Sequence, residues 1–294
     1  MSAITVFTPT FNRAYCLGQL YESLKRQTSG DFVWLIIDDG SKDNTKELVH
    51  SWIDENTVKI KYIYQENQGM HSAHNTAYLN MDSELNVCID SDDYMTDDAV
   101  FNILQTWSNG KQPHLAGIIG LDAFKSGELV GTKIPEQVKE STLTDIYQKY
   151  HVKGDKKVVL LTSIVKEFPS YPVYKTERLV PLGTLYLMID QKYKFLCSND
   201  VYCVVEYLPD GSSNNILKQY KKSPRGFAYN RKVKMQFANS FSEKFKNATH
   251  LVSSAIFAKD LSLMLQSPDK ITTFLAVPTG IALNCFIRYK TRNA

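Results

Sequence analysis

Three carboxylates fall within the four residues Asp90-Ser91-Asp92-Asp93, directly after an apolar stretch over residues 85–89. Packed this closely they repel one another, so the run is costly unless cations or donors neutralise it. Oxygen donors of this kind suit a hard divalent ion, Mg²⁺ or Mn²⁺, which keeps positions for water and phosphate. An ion held there can bridge a diphosphate and stabilise it as a leaving group. A solvated turn ahead of a helix has a similar composition. The apolar stretch before the run favours the ion site, because it sets the acids at the end of a buried strand.

Three more polar sets follow apolar stretches in the same way. They are Thr8-Pro9-Thr10-Phe11-Asn12-Arg13, Asp38-Asp39-Gly40-Ser41 and Glu66-Asn67-Gln68-Gly69. Each alone reads equally well as a turn. Together they suggest one shared pocket, and Asp39 is placed to accept from a base or ribose donor. His71 and His74 stand one helical turn apart and suit either a phosphate contact or the protein interior. A zinc pair would need further ligands, and no HExxH motif accompanies them.

The segment 211–242 holds Lys218, Lys221, Lys222, Arg225, Arg231, Lys232 and Lys234, interleaved with Tyr220, Phe227, Tyr229 and Phe237. A solvated helix face accounts for such a run. So does an anionic partner: an acceptor phosphate met by Lys222 and Arg225, or lipid head groups. A nucleic-acid partner is not indicated. The formal net charge is only +3, without the global basicity of such binders.

These residues need elements to position them. The pattern over the first 120 residues alternates strand and helix. Strands are expected at 4–8, 32–37, 58–64 and 85–89. Helices are expected at 14–27, from Asp43 or Asn44 to Trp52, at 70–79, and from an N-cap at Thr96 to Trp107. The continuous apolar strands fit a sheet buried on both faces. The order predicts an α/β, mostly parallel, doubly wound sheet, with ligands at the carboxyl ends of its strands. Alternation then fades. Strands are expected at 115–119, 158–164 and around 193–207, with helices at 183–191 and 241–263.

With 294 residues, 43% hydrophobic and 22% charged, a sizeable core is available. Five cysteines without CxxC spacing read as buried, reduced thiols. No stretch reaches the length and apolarity of a spanning helix, and no leader pattern opens the chain. Cytoplasmic residence is expected, with contact at the inner face of the membrane left open. Neither a GxGxxG nor a Walker loop is present, which removes ordinary dinucleotide and P-loop readings. A nucleotidyltransferase lacks support for the same reason: no basic, glycine-rich triphosphate loop lies near the N-terminus.

Taken together, the four strand ends resemble family 2 glycosyltransferases of the GT-A fold. The segment 8–13 looks like that family's opening strand motif. Asp38-Asp39-Gly40-Ser41 with Asp43-Asn44-Thr45 resembles its nucleotide-contacting turn. Asn67-Gln68-Gly69 with Ala73 and Asn75 is similar to its N-x-G…A-x-N segment, and residues 90–93 to its DxD motif. The resemblance implies a nucleotide-sugar donor, commonly UDP-linked, and a divalent cation. It assigns Pro9, Thr10, Asn12, Arg13, Asp39, Asn67, Gly69, His71, Asp90 and Ser91 to the donor, and Asp92 or Asp93 to the metal. Met70 stands where relatives often carry Lys. By the same resemblance, residues 1–120 form a donor half and 121–212 an acceptor half of one GT-A domain. Residues 213–294 are expected, from their charge and helical spacing, to form a basic helical region, with membrane-surface contact left open. The composition is silent on oligomeric state.

Such enzymes usually invert the anomeric centre, which requires a base to deprotonate the acceptor hydroxyl. A bacterial cell-surface branch of the family is similar in Gly154-Asp155-Lys156, Tyr207-Leu208-Pro209-Asp210-Gly211, Asn214-Asn215 and Ser223-Pro224-Arg225-Gly226. In that branch an acidic residue begins a helix where this chain has Leu182. Leucine takes no proton. Glu177, Asp155 and Asp190 are the remaining candidates. The expected function is sugar transfer to a cell-envelope glycan or lipid-linked acceptor. The alternative is a catalytically impaired nucleotide-sugar-binding or scaffold protein.

Overall fold

The computed structural model describes residues 2–206 and 216–292. The chain divides into two compact units: residues 1–170 with 186–208, and residues 171–185 with 209–294.

The first unit is built on one sheet. Its strands are β1 (Ile4–Thr10), β2 (Phe32–Asp38), β3 (Ile60–Tyr64), β4 (Leu85–Cys88), β5 (Tyr94–Met95), β6 (Leu115–Phe124), β7 (Glu140–Ser141), β8 (Lys156–Leu161) and β9 (Lys194–Val205). The spatial order is β3-β2-β1-β4-β8-β6-β9-β5, with β7 on β9. β1 pairs parallel with both β2 and β4, and β2 with β3. The helices between them are α1 (Ala14–Lys25), α2 (Thr45–Glu55), α3 (Met70–Leu79) and α4 (Ala99–Gly110). The α/β, mostly parallel expectation holds. The apolar runs of β1 and β2 are buried almost throughout, as strands covered by helices on both faces must be. A stack of Tyr21, Trp34 and Trp52 fixes α1 and α2 on that sheet, the Tyr21 and Trp52 rings lying 4.4 Å apart.

Beyond residue 110 the pattern changes. The boundary expected at residue 120 falls inside β6. β8 inserts antiparallel between β4 and β6, so later residues continue the same sheet. α5 (Leu143–Gln148) and α6 (Thr162–Lys166) flank β8.

One local expectation is corrected. Thr96 does not cap α4; that position belongs to Asp98. The Thr96 hydroxyl donates instead to the Val201 carbonyl at 2.7 Å, because β5 is drawn into pairing with β9.

α7 (Gly183–Ile189) follows residue 182, and the other elements described in the second unit are helices. Its members are α8 (Ile216–Lys222), α9 (Pro224–Gln236), α10 (Phe241–Ala258), α11 (Ser262–Leu265), α12 (Lys270–Leu275) and α13 (Val277–Lys290). Ser240 caps α10, its hydroxyl accepting from Glu243 N–H. The core is rich in small side chains: Ala228, Ala248, Ala255 and Ala276 pack with Met235, Leu251 and Leu263. The motif residues 207–211, 214 and 215 lie outside the described residues.

Candidate functional site

Strand order reverses at β1, with β2 and β3 on one side and β4 on the other. In open sheets the crevice at such a point takes the ligand. Pro9 marks it. The Thr10 carbonyl accepts from Asp39 N–H at 2.8 Å, so Thr10 faces β2, whereas the Phe7 carbonyl accepts from Ile89 N–H and faces β4. By strand alternation Pro9 also faces the β4 side, but the β4 register ends at Phe7 and Cys88. The missing proline N–H therefore breaks no ladder bond, and the two strands part there.

Three loops are tied together on the β2 side. Asn12, in the left-handed region at φ 53°, donates its N–H to Ser41 Oγ at 2.8 Å and accepts from Lys42 N–H at 2.7 Å. Asp43 accepts from Ala14 N–H at 3.1 Å. Asp39 is buried, and its carboxylate accepts from Gln65 Nε2, Gln68 N–H and Gly69 N–H at 2.7–2.9 Å. It thus ties the end of β2 to the start of α3, where an anion is favoured. Gly40 sits at φ +88°, and a Cβ there would lie 2.7 Å from Asn67 N. Only glycine lets the two turns approach this closely.

On the β4 side the acidic run forms a tight turn closed by Asp93 N–H to the Asp90 carbonyl at 3.1 Å. Gln19 of α1 donates to the Asp92 carbonyl at 3.3 Å. The three acids then diverge. Asp93 is buried and turned inward, accepting from Glu206 N–H at 3.2 Å with the Cys203 thiol at 3.9 Å. Burial pushes its carboxyl up to about 7, and Lys157 opposes the shift. Asp90 and Asp92 are half-buried. Arg13 and Asp92 both act on the Cys16 thiol, which burial raises, Arg13 lowers and Asp92 raises again. The opening loop and the acidic turn therefore come together around Cys16.

A divalent ion would be held by Asp92 with help from Asp90 or Asp93. Among the described residues no three His, Cys, Asp or Glu side chains are gathered to hold a metal alone. The residues fit an ion that takes one or two carboxylates and completes its shell with phosphate and water, as Mg²⁺ does.

Sequence reasoning missed the cation beneath this turn. Lys157 of β8 reaches Asp122 of β6 at 3.7 Å. Burial works against its charge, yet Asp122 foremost, with Asp93 and Asp90 behind it, holds its pKa well above the ordinary lysine value. The detectable signal is two lysines opening an apolar strand. Lys156 points the other way, its ammonium donating to the carbonyls of Val130, Lys153, Gly154 and Asp155 at 2.8–3.2 Å.

The histidines are interior residues. His74 packs edge-on against Phe7 at 4.9 Å and bonds Tyr78 Oη at 3.1 Å. Burial, with His71 beside it, lowers its pKa to about 3, so it is neutral at physiological pH. His71 is buried as well. Thr10 Oγ1 is buried with no hydrogen-bond partner, while Ser91 is buried in the acidic turn.

Asp190 and Glu177 hold backbone donors. Asp190 accepts from Leu143 N–H, Thr144 N–H and Thr144 Oγ1 at 2.5–2.9 Å, anchoring the start of α5. Burial raises its pKa, and these bonds oppose the rise. Glu177, in the second unit, accepts from Arg225 N–H at 3.0 Å and Gly226 N–H at 2.9 Å. Arg225 is also committed there, its guanidinium 3.7 Å from Glu177 and 3.6 Å from Asp260. Lys222 is exposed at the end of α8, and Asp155 is exposed before β8.

Residues 5–124 match the family model described as Glycosyl transferase family 2. They are a family 2 glycosyltransferase domain. The matched region runs from β1 through β6 and contains the crevice and its acidic turn. Over 112 residues the chain is 29% identical to GalNAc(5)-diNAcBac-PP-undecaprenol beta-1,3-glucosyltransferase of Campylobacter jejuni, covering 37% of this chain and 36% of that one. The chain spans less than half the length of the curated relatives it matches. The fold of the glycosyltransferase domain and its appendage is similar to two solved structures. S. aureus TarS 1–349 in complex with UDP-GlcNAc has a TM-score of 0.60 at 15% identity, covering 98% of this chain and 91% of that one. Mannosyltransferase PcManGT from Pyrobaculum calidifontis, in complex with GDP-Man and Mn²⁺, has 0.58 at 16%, covering 99% and 83%. The glycosyltransferase domain has the GT-A architecture that the four strand ends implied.

Proposed function

We propose that the chain transfers a sugar from a nucleotide diphosphate donor, UDP-linked, to a hydroxyl of a cell-envelope glycan or lipid-linked acceptor, with inversion. The observation that carries this is the crevice between β1 and β4, flanked by Pro9 on one wall and the Asp90–Asp93 turn on the other. UDP-GlcNAc and UDP appear with TarS, and GDP-Man with PcManGT. The Campylobacter relative bears the name of a glucosyltransferase for a PP-undecaprenol glycan.

The nucleoside would lie along Pro9, Thr10, Asn12 and Arg13, on the platform that Asp39 braces against Asn67 and Gly69. Its diphosphate would face Asp90 and Asp92. A divalent ion at Asp92, Mn²⁺ or Mg²⁺, supplies charge neutralisation of the departing diphosphate. The acceptor oxygen forms its bond to the anomeric carbon as the bond to the diphosphate breaks, and the hydroxyl proton passes to a base. Asp155, exposed ahead of β8, is the first base candidate, because Glu177 and Asp190 are buried or half-buried and hold backbone donors.

A second reading rests on a specific residue. Leu182 offers no proton acceptor, and a domain that binds a nucleotide sugar without turning it over would share every donor feature. Release of UDP from a panel of UDP-sugars with Mn²⁺ and glycan or lipid-linked acceptors separates the two. Turnover lost in Asp92→Ala supports the transferase. Nucleotide binding without turnover across the panel supports the binding protein. A diphosphate bound away from residues 90–93 overturns both.

A further inference from the structure

The C-terminal helices leave a large apolar surface uncovered. α13 buries Gly280, Asn284 and Ile287. Asn284 donates to the Ser253 carbonyl of α10 at 3.2 Å, and a Cβ at Gly280 would meet Val252 at 2.5 Å. One face of α13 is thus fixed against α10. At 100° per residue the opposite face carries Pro278, Ala282, Cys285, Phe286 and Tyr289, with Ile281 at its margin. An outward helix face in water is ordinarily polar; this one has no charged residue. Preceding elements continue the pattern. α12 exposes Ile271, Phe274 and Leu275, and α11 with its N-cap exposes Leu261 and Leu265. Phe274 is 79% exposed, Ile271 78% and Tyr289 75%.

The charges around this surface are mainly positive. Between residues 261 and 292 the cations are Lys270, Arg288, Lys290 and Arg292, and the single carboxylate is Asp269. Asp269 is occupied in capping α12, accepting from Thr272 N–H and Oγ1. Arg288 and Lys290 stand on opposite flanks of the α13 apolar face. Arg288 is held by Nε donating to Asn284 Oδ1 at 2.7 Å and lies over the Phe257 ring, while the Lys290 stem can keep its charged head at a water boundary. A second copy would set cations against cations across a two-fold contact, with only Asp269, already bonded in the α12 cap, to answer them. An apolar face with basic flanks fits the surface of a bilayer containing anionic lipid. Among the described residues no helix is long and apolar enough to cross a membrane.

We propose that α11–α13 form a docking surface for an anionic lipid bilayer, with Phe274, Phe286 and Tyr289 entering the headgroup layer and Lys270, Arg288, Lys290 and Arg292 meeting lipid phosphates. This inference does not depend on donor chemistry or on turnover.

Vesicle flotation of the full chain tests it, using phosphatidylcholine with and without phosphatidylglycerol. The chain floats with the anionic vesicles, and added salt weakens the association. Phe274→Asp with Tyr289→Asp lowers it at least tenfold, on the order expected for losing two inserted aromatics. Lys290→Ala and Arg292→Ala each lower it about fivefold. Circular dichroism confirms folding; these side chains are exposed, so the helices keep their packing. Three results overturn the proposal: no flotation with anionic vesicles, binding unaffected by the paired aspartates, or a dimer that those aspartates dissociate while vesicles stay unbound.

Discussion

The Glu177 carboxylate receives the backbone N–H of Gly226 at 2.9 Å, across 49 residues of chain. With the bond from Arg225 N–H, it neutralises two donors at the first turn of α9 that have no partner within the helix. A buried carboxylate so used is structural. Glu177→Ala is expected to destabilise the protein by about 2–4 kcal/mol, read by urea unfolding. A residue serving as proton acceptor would instead lose turnover at unchanged stability, and that outcome would return Glu177 to the list of bases.

His74 sets an acid limit. Its pKa falls to about 3 when folded, against about 6.5 unfolded. The unfolded chain therefore binds the extra proton between those values. The contribution is present above the unfolded pKa and is lost as pH falls toward 3. Stability should decline by up to about 1.4 kcal/mol per pH unit from this group across that window. His74→Leu should flatten the decline between pH 6.5 and 4 while leaving nucleotide affinity at pH 8 unchanged. A steep loss of nucleotide binding in that variant would place the ring in the donor site after all.

Gly40 is the contact between two loops of the crevice. Gly40→Ala meets both a positive φ and the Asn67 backbone. A stability loss of more than about 1 kcal/mol is expected, together with weaker nucleotide binding by calorimetry. Ordinary affinity in that variant would show that the Asn12–Gly40–Asn67 platform does not carry the nucleoside.

Leu182 gives a gain-of-function test. Its position precedes the first turn of α7, where a carboxylate is tolerated. If the base is missing, Leu182→Glu raises UDP release about a hundredfold or more. An unchanged rate, with activity lost in Asp155→Asn, assigns the proton to Asp155.

β1 and β2 were legible because each is a buried parallel strand, a continuous apolar run closed by polar residues. β3, half-buried at the sheet edge, and the short β4 showed through their β-branched and aromatic or apolar residues. The donor-side constellation followed from where those runs stop. What escaped the sequence depends on partners far along the chain. Asp39 reads as a ligand contact, and its bracing of the Gln68 and Gly69 N–H groups, about thirty residues away, is visible only in the structure. Thr96 looks like a helix cap until Val201 claims its hydroxyl. Asp92 and Asp93 read as interchangeable metal acids, yet Glu206 N–H draws Asp93 inward while Asp92 stays half-buried. Local pattern carries periodicity and strand ends; it does not carry which of two carboxylates meets a backbone donor a hundred residues later.

The placement of β8 orders events in time. It lies between β4 and β6 and brings Lys157 beneath the acidic turn. While the ribosome is still making residues 94–155, the turn has no internal counter-charge and the β4 edge stands open. The nascent chain passes through a stage in which its most charged loop and an unpaired strand are exposed together. Such edges invite pairing with other chains. The β4 edge closes only when a strand made late is threaded into the middle, and the sheet is complete only after β9 has paired with β6 and β5.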